Sequence, residues 1–461
     1  MTDSDPRARA AALATLWRDH APDDEHGAFH LALSREWEPI APYHKLPAML
    51  SRQVFGFSAA YLLTGESSFL GQARRGWEYL VEHAWDNRYG GWYDRLTREG
   101  EPAGKTKSVP LQLYSNVGLV QYYLVTRDER ALDMVQQSME IRRTHGHDDT
   151  CGGYYQALER DLRVADDGKN KHAHYGYVGS LTLNAYLATR DDDLLEWQRE
   201  LCDLSIEHQT DDEGWIYGFG SEFDRQWNRT SNVVDGEEVR SIGAQLTAAL
   251  AFLRLYHQTG DETYRTWGMR IAGNAHRDGW DDRGFFWDRV SETGEPTDDA
   301  AVIRWVQSYG CFLQLHLYRL TGDEKYVDRF EAIQRFYLAN LNDREYGGVF
   351  PAVDSDGRPT DVHKARPWKT SYHELEHELL VSLYHTLYVR DEPVNLHFLL
   401  DGGNGGETHY VSPVDDSQVT LADVTVNGEP WDRFDPVERS VTLPSGSNLD
   451  VRVRLVSPSG R

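Results

Sequence analysis

Cysteine is scarce in this 461-residue chain, and Cys151, Cys202 and Cys311 stand apart with no C-x-x-C spacing. Neither a disulfide framework nor a zinc site is therefore expected. Long hydrophobic runs are also missing. No stretch approaches about 18 uninterrupted apolar residues, so no membrane-spanning helix is expected. The segment Met1 to His20 is charged and amphipathic and lacks an apolar h-region, which predicts a helix rather than a signal peptide and hence a soluble, cytoplasmic protein. Positive charge is short as well: 48 Lys and Arg face 74 Asp and Glu, for a net charge of −26. A nucleic-acid partner needs a cationic surface, so that class is excluded. Lysine is especially rare. An acidic, lysine-poor surface stays soluble where salt screens its self-repulsion, which predicts a halophilic source.

What the chain does have is aromatic side chains, 14 Trp and 25 Tyr among them, and a repeat. Aromatics fill cores and also stack on sugar rings. The first recurring phrase is a glycine turn with an aromatic or apolar residue: Gly27-Ala28-Phe29, Gly90-Gly91-Trp92, Gly152-Gly153-Tyr154, Glu213-Gly214-Trp215, Arg283-Gly284-Phe285 and Gly347-Gly348-Val349. An acid precedes each, at Asp24, Asp86, Asp149, Asp211, Asp281 and Asp343. The second phrase, as in Thr64-Gly65-Glu66 and Thr259-Gly260-Asp261, suits a short turn that ends one helix and caps the next. Both return at steps of about 62 to 70 residues, the mark of a repeat architecture.

Between the phrases the apolar spacing is helical, as at Trp77, Leu80, Val81 and Ala84. Each unit is thus two helices with one short and one long connection. The second helix is apolar on most of its circumference, as in Val54 to Leu63, and such a helix must be buried on all sides. Six inner and six outer helices give the expected fold, an all-α (α/α)6 barrel over residues 1–392 with a small C-terminal β domain. An open superhelix is the alternative, with repeats that would usually be shorter. From 393 to 461 the pattern turns strand-like at Val394–Leu400, Gln418–Val426 and Asn448–Val456, with Asn427-Gly428 as a hairpin turn. A structural role is expected for this module.

Equivalent positions in a ring of repeats converge on one end of its axis. Arg52, Asn116, His174, Glu237, Gln307 and His373 share nearly one register, about 22 to 26 residues after their glycine turns. A single polar residue at a helix start is usually a cap; six around a ring predict a polar cavity. His172 and His174 form an H-x-H pair without a third ligand at known spacing, so an acid/base or hydrogen-bonding role is preferred to a metal. His145 and His147 read as a solvated turn, and His83, His257 and His377 as surface or packing residues.

These phrases resemble the N-acylglucosamine 2-epimerase family over about the first 390 residues. The resemblance is carried by Arg52 in SRQVFGFSAAY, Asn170 and His174 in NKHAH, Trp305-Val306-Gln307, and Trp368 with His373 in WKTSYH. It implies an (α/α)6 barrel, no obligatory metal or nucleotide cofactor, and proton transfer at C1/C2 of an open-chain sugar. Two phrases depart from the family. Its Gly-His-x-x-Glu reads Gly236-Glu237-Glu238-Val239-Arg240 here, and its Trp-Val-Gln-Ala-Glu ends in Tyr309.

The expected catalytic residues are accordingly His373 as base, His174 and Arg52 as oxyanion donors, and Glu237 as a second base. Asn170, His172, Tyr114, Asn116, Arg240, Trp305, Gln307, Tyr309 and Trp368 are expected to bind a small-molecule carbohydrate. Arg240 and Arg366 could meet an anionic substituent, though a surface ion pair is the plainer reading of each. Epimerisation needs groups on both faces of the enediol, whereas isomerisation can use one base. With one family His replaced, an aldose–ketose isomerase is the favoured reaction. A glycoside hydrolase or lyase pairing Glu237 or Glu238 with an acid such as Asp224, and a non-catalytic sugar-binding protein, are the other readings. The sequence leaves the oligomeric state open, a homo-oligomer included.

Overall fold

The computed structural model describes residues 5–170, 174, 181–217, 222–231, 233–234 and 237–457. Helix boundaries lie where turn chemistry puts them. Asp128, Asp191 and Asp261 each accept a backbone N–H as N-caps. The helices before the short turns end in a left-handed residue, Gly65, Gly260 and Gly322 at φ +74°, +68° and +68°; Arg127 and Arg190 adopt the same conformation in the two units without that glycine.

The helices are α1 (Pro6–His20), α2 (Pro47–Thr64), α3 (Ser67–Tyr79), α4 (Val109–Tyr114), α5 (Val117–Thr126), α6 (Glu129–His145), α7 (Thr182–Thr189), α8 (Asp192–His208), α9 (Ile242–Thr259), α10 (Glu262–Gly279), α11 (Arg304–Thr321), α12 (Lys325–Phe336) and α13 (Tyr372–Leu380). One set is buried on every side. In α2 every residue from Pro47 to Leu63 is buried, and α5 is buried throughout. The other set buries a single stripe, as α12 does with Tyr326, Val327, Phe330 and Ile333.

The inner helices contact one another in sequence, α2 to α5 to α7 and α9 to α11 to α13, and α13 packs back on α2. Between α7 and α9, Arg254 donates to the Asn184 side chain at 3.0 Å. The long connections pair in the same order. Lys45 bridges Leu96, Thr106–Ser108 pairs with Ala157–Glu159, and Lys169–Asn170 with Glu222–Phe223. Val239–Ser241 pairs with Arg289–Ser291, Val302–Ile303 with Ala352–Val353, and Leu33 with Ala365 of the sixth unit.

The same joints are electrostatic. Buried Lys45, Lys107, Lys169 and Lys364 lie 3.0, 3.1, 3.0 and 2.7 Å from Asp23, Asp86, Asp148 and Asp343. An arginine from the next unit reaches each acid: Arg98, Arg160, Arg225 and, from the first unit back to the sixth, Arg35. Arg225, then Lys169, hold the Asp148 carboxyl well below the usual carboxylate range. The acids at these joints are Asp23 and Asp148, whereas their neighbours Asp24 and Asp149 are exposed. Of the eight lysines, Lys369 is buried as well, and among the described residues only Lys105 and Lys325 are exposed.

Beyond the helices, Val394–Leu400, Leu449–Val456, Thr420–Val426 and Glu429–Pro430 form one antiparallel sheet in that order, and Thr408–Tyr410, Ser440–Thr442 and Phe434–Asp435 a second. Asn427 and Gly428, at φ +52° and +84°, make the two-residue turn between paired strands. The module packs on α2, α5 and α7. Its Asp415 is fully buried, 2.6 Å from Arg254 Nε and 2.7 Å from Tyr384 Oη. Arg254 lies in the C-terminal half of its helix, so the module seals the end opposite to Arg52 and His373. Among the described residues no helix is long and apolar enough to cross a membrane.

Candidate active site

Glu237 apart, the predicted register divides into two groups once side chains are placed, and Gln112 and Gln245, which it did not include, join the first. The first group ties down the glycine turns. Gln112, Gln245 and Gln307 each accept the backbone N–H and donate to the carbonyl of the residue at a turn, Trp92 (2.7 and 2.9 Å), Ile216 (3.0 and 2.6 Å) and Phe286 (2.9 and 2.7 Å). His174 takes the equivalent place in the third unit. Its Nε2 accepts the Tyr154 N–H at 3.1 Å, and its Nδ1–H donates to the Asn170 carbonyl at 2.7 Å. The ring is fully buried, and burial pushes it down to about 3, so it is neutral. Asn116, also fully buried, accepts the Trp92 indole N–H at 2.9 Å.

Asn116, His174 and Gln307 were expected at the substrate; the structure instead places His174 and Gln307 beneath the turns as backbone clasps and Asn116 on the Trp92 indole. Gln307→Leu strands the N–H and C=O of buried Phe286. It is expected to destabilise the fold by about 1–3 kcal/mol for each stranded group, measured by urea unfolding.

The second group meets at the N-terminal ends of α2, α11 and α13. Arg52 is 5% exposed, and its guanidinium carbon lies 5.1, 5.4 and 6.0 Å from the ring centres of Tyr114, Tyr372 and Trp368. Trp368 stands at the rim, 51% exposed, with a left-handed φ of +70°. His373 lies against Trp305 and Tyr309, at 6.1 and 5.7 Å between ring centres. Its Nδ1 is 3.0 Å from Glu376 Oε2, while Tyr372 Oη donates to Glu376 Oε1 at 3.0 Å. Burial, then Arg52 and Arg304, push His373 well below its ordinary range. The imidazole is therefore neutral, and its Nε2 makes no hydrogen bond to the described residues. Tyr309 and Glu376 also line a small cavity with Phe55, Gln121, Arg254 and Tyr384.

Arg240 stacks 4.6 Å from the Trp215 ring centre and lies 3.8 Å from Asp278, and Arg366 pairs with Asp361; neither is placed as an anion receptor. Asp224 accepts from the Gln226 and Asn228 backbones within a turn, so it is not placed as a partner for a catalytic acid. Asn170 contributes its carbonyl to His174. His172 lies outside the described residues, as do the side chains of Glu237 and Glu238. His377 is buried and stacked on Tyr337 at 4.3 Å. Among the described residues no group of three or more His, Cys, Asp and Glu is placed to hold a metal ion.

Glu376 and Arg304 were not anticipated. Glu376 had a signal, since a residue three positions after His373 on a helix shares its face.

A neutral imidazole open on one nitrogen, a guanidinium walled by aromatic rings and an exposed rim tryptophan suit proton transfer on a flat, hydroxyl-rich ligand. Comparison with known proteins points the same way. The sequence profile of N-acylglucosamine 2-epimerase (GlcNAc 2-epimerase) matches residues 27–376. A cellobiose 2-epimerase of Bacteroides fragilis is 26% identical over 377 residues, covering 78% of this chain and 93% of that one. A D-mannose isomerase of Marinomonas mediterranea is 20% identical, covering 76% and 90%. The solved cellobiose 2-epimerase of Bacillus thermoamylovorans superposes with a TM-score of 0.71 at 24% identity, covering 81% and 97%, a likeness of fold. The match spans the helical repeats, the rim and His373, and on it the chain belongs to the N-acylglucosamine 2-epimerase family.

Proposed function

We propose that this protein is a carbohydrate isomerase or epimerase, built on an (α/α)6 barrel, that acts on a free monosaccharide or small saccharide by proton transfer at C1/C2. The observation that carries the reading is His373, neutral, with Nδ1 engaged and Nε2 open beside Arg52. In the forward step Nε2 takes the proton from C2. The C–H electron pair forms the C1=C2 bond, and the carbonyl pair moves to O1, giving an enediolate. Arg52 donates to the developing negative charge. The O2 proton passes to O1, the O2 electron pair forms the C2=O bond, and Nε2–H, having exchanged in part with solvent, returns a proton to C1, which completes an aldose–ketose isomerisation on one face.

This one-base path is favoured over epimerisation because Glu237 stands where the family phrase has its second His, and His174, engaged beneath its glycine turn, supplies no second base either. A hydrolase would need two carboxylates across the cavity. Of the described acids near His373, Glu374 is held by Lys369 and the Trp17 indole, which leaves Glu376 alone among the described residues. Trp305, Trp368 and Tyr114 are the groups we assign to stacking on the sugar.

Incubation with mannose, glucose, fructose and cellobiose in D2O, followed by NMR, is expected to show deuterium at C1 or C2. Release of reducing ends without label exchange would move the assignment to a hydrolase.

A further inference from the structure

The segment His373-Glu374-Leu375-Glu376-His377-Glu378 carries three glutamates on one buried helix, and their partners differ. Glu374 receives Lys369 Nζ at 2.9 Å and the Trp17 indole at 3.0 Å. Glu378 receives Arg9 Nη2 at 2.7 Å. Glu376, between them and 4% exposed, has no lysine or arginine at ion-pair distance among the described residues. Its two oxygens meet Tyr372 Oη and His373 Nδ1. A buried carboxyl left without a cation on the turn that carries an open imidazole is not explained by packing, since an apolar residue would bury at lower cost.

We propose that Glu376 is the positioning residue of His373: its carboxylate accepts the Nδ1–H and thereby leaves the lone pair on Nε2, which serves as the base. This rests on the reading of His373 as the proton-transfer group. Tyr309 supports it from the opposite helix. It stands where the family phrase has glutamate, it touches the His373 ring, and it lines one cavity with Glu376. α11 thus brings no carboxylate to His373, and α13 supplies one at Glu376.

The charged and titratable groups around this pair are Arg52 from α2, Arg254 from α9, Arg304 and Tyr309 from α11, and Tyr372 from α13 itself. Burial pushes Glu376 up to about 7, against the opposing pull of Tyr372, Arg52, Tyr309 and Arg254. His373 stays neutral across that range. When Glu376 takes up a proton, its O–H donates to Nδ1, the imidazole proton moves to Nε2, and the base is lost. The base form is therefore present above about pH 7 and is lost as pH falls through it.

The test uses the full chain labelled with 15N-histidine, with His373 assigned by difference from His373→Gln. In the wild type, long-range 1H–15N correlations are expected to show Nδ1–H at pH 8.5 and conversion to Nε2–H as pH falls through about 7. Glu376→Gln should abolish that conversion, flatten the acid limb of kcat/KM for label exchange on mannose, and lower its plateau by at least about tenfold. Tyr372→Phe removes a bond to the carboxylate and should move the conversion to higher pH. An unchanged titration in Glu376→Gln, an unmoved midpoint in Tyr372→Phe, or Nε2–H at every pH overturns the assignment. The tautomer readout needs no turnover. If no sugar exchanges label while the tautomer follows Glu376, the functional reading fails and the positioning role stands. If label exchanges but Glu376→Gln keeps the wild-type profile, the positioning role fails alone.

Discussion

His373→Gln is expected to slow deuterium exchange at C1/C2 by about 100- to 10,000-fold, the range that positioned acid–base catalysis contributes. The loss should appear in kcat and in kcat/KM equally, because the imidazole acts on a proton that moves only in the transition state. The variant keeps a hydrogen-bonding group near Glu376 Oε2, and Tyr372 still donates to Oε1, so folding should survive. Single-turnover exchange on the folded variant, checked by circular dichroism, measures the effect. Exchange within about threefold of wild type would remove His373 from the mechanism and with it the one-base path. Arg52 would then remain as a binding group without a base to serve.

Asp343→Ala should be the most damaging of the substitutions at the joints between units. Lys364 Nζ, 2.7 Å from this carboxylate, has a side chain 1% exposed, and losing the partner leaves a buried cation without compensation. The expected cost is about 3–5 kcal/mol, read as a lower urea midpoint. Arg35 is freed by the same change, and its side chain at 31% exposure can reach water, so Arg35→Ala should cost much less. Asp343→Ala combined with Lys364→Met should recover a good part of the loss, because the uncompensated charge is gone. If the double variant is no better than Asp343→Ala, the pair is not what holds this joint. The pH dependence has a definite sign. Burial works against ionisation of Asp343, but Arg35 and Lys364 outweigh it and hold the folded-state value well below the ordinary one. The stabilisation is thus complete above the unfolded-state pKa of about 3.9 and is lost as pH falls toward the folded-state value. The comparison of variants belongs near neutral pH.

Placement of these residues followed two different rules. The six-fold repeat, the helix pairs, the short turns and the C-terminal strands were legible in the sequence, because they depend on local quantities: apolar period, left-handed turn residues, caps and alternation. Closure was only implied by the all-round apolar inner helices; the pairing of Leu33 with Ala365 and the reach of Arg35 to Asp343 are contacts across more than 300 residues, which no local pattern encodes. The site was legible to within a helical turn and no finer. Arg52 does lie against Trp368 and Tyr372, and Tyr372 against His373, but a register read over 22 to 26 positions spans more than one turn, and each single step along a helix rotates a side chain by about 100°. That rotation sends His174 and Gln307 beneath the glycine turns while Trp305, two residues before Gln307, faces His373. It also brings Glu376 round to Nδ1 of the imidazole. Sequence determined which residue types gather at the N-terminal ends of the inner helices. Tertiary structure alone decided which of them turn inward, because that depends on rotation about each helix axis, fixed by packing between neighbouring helices.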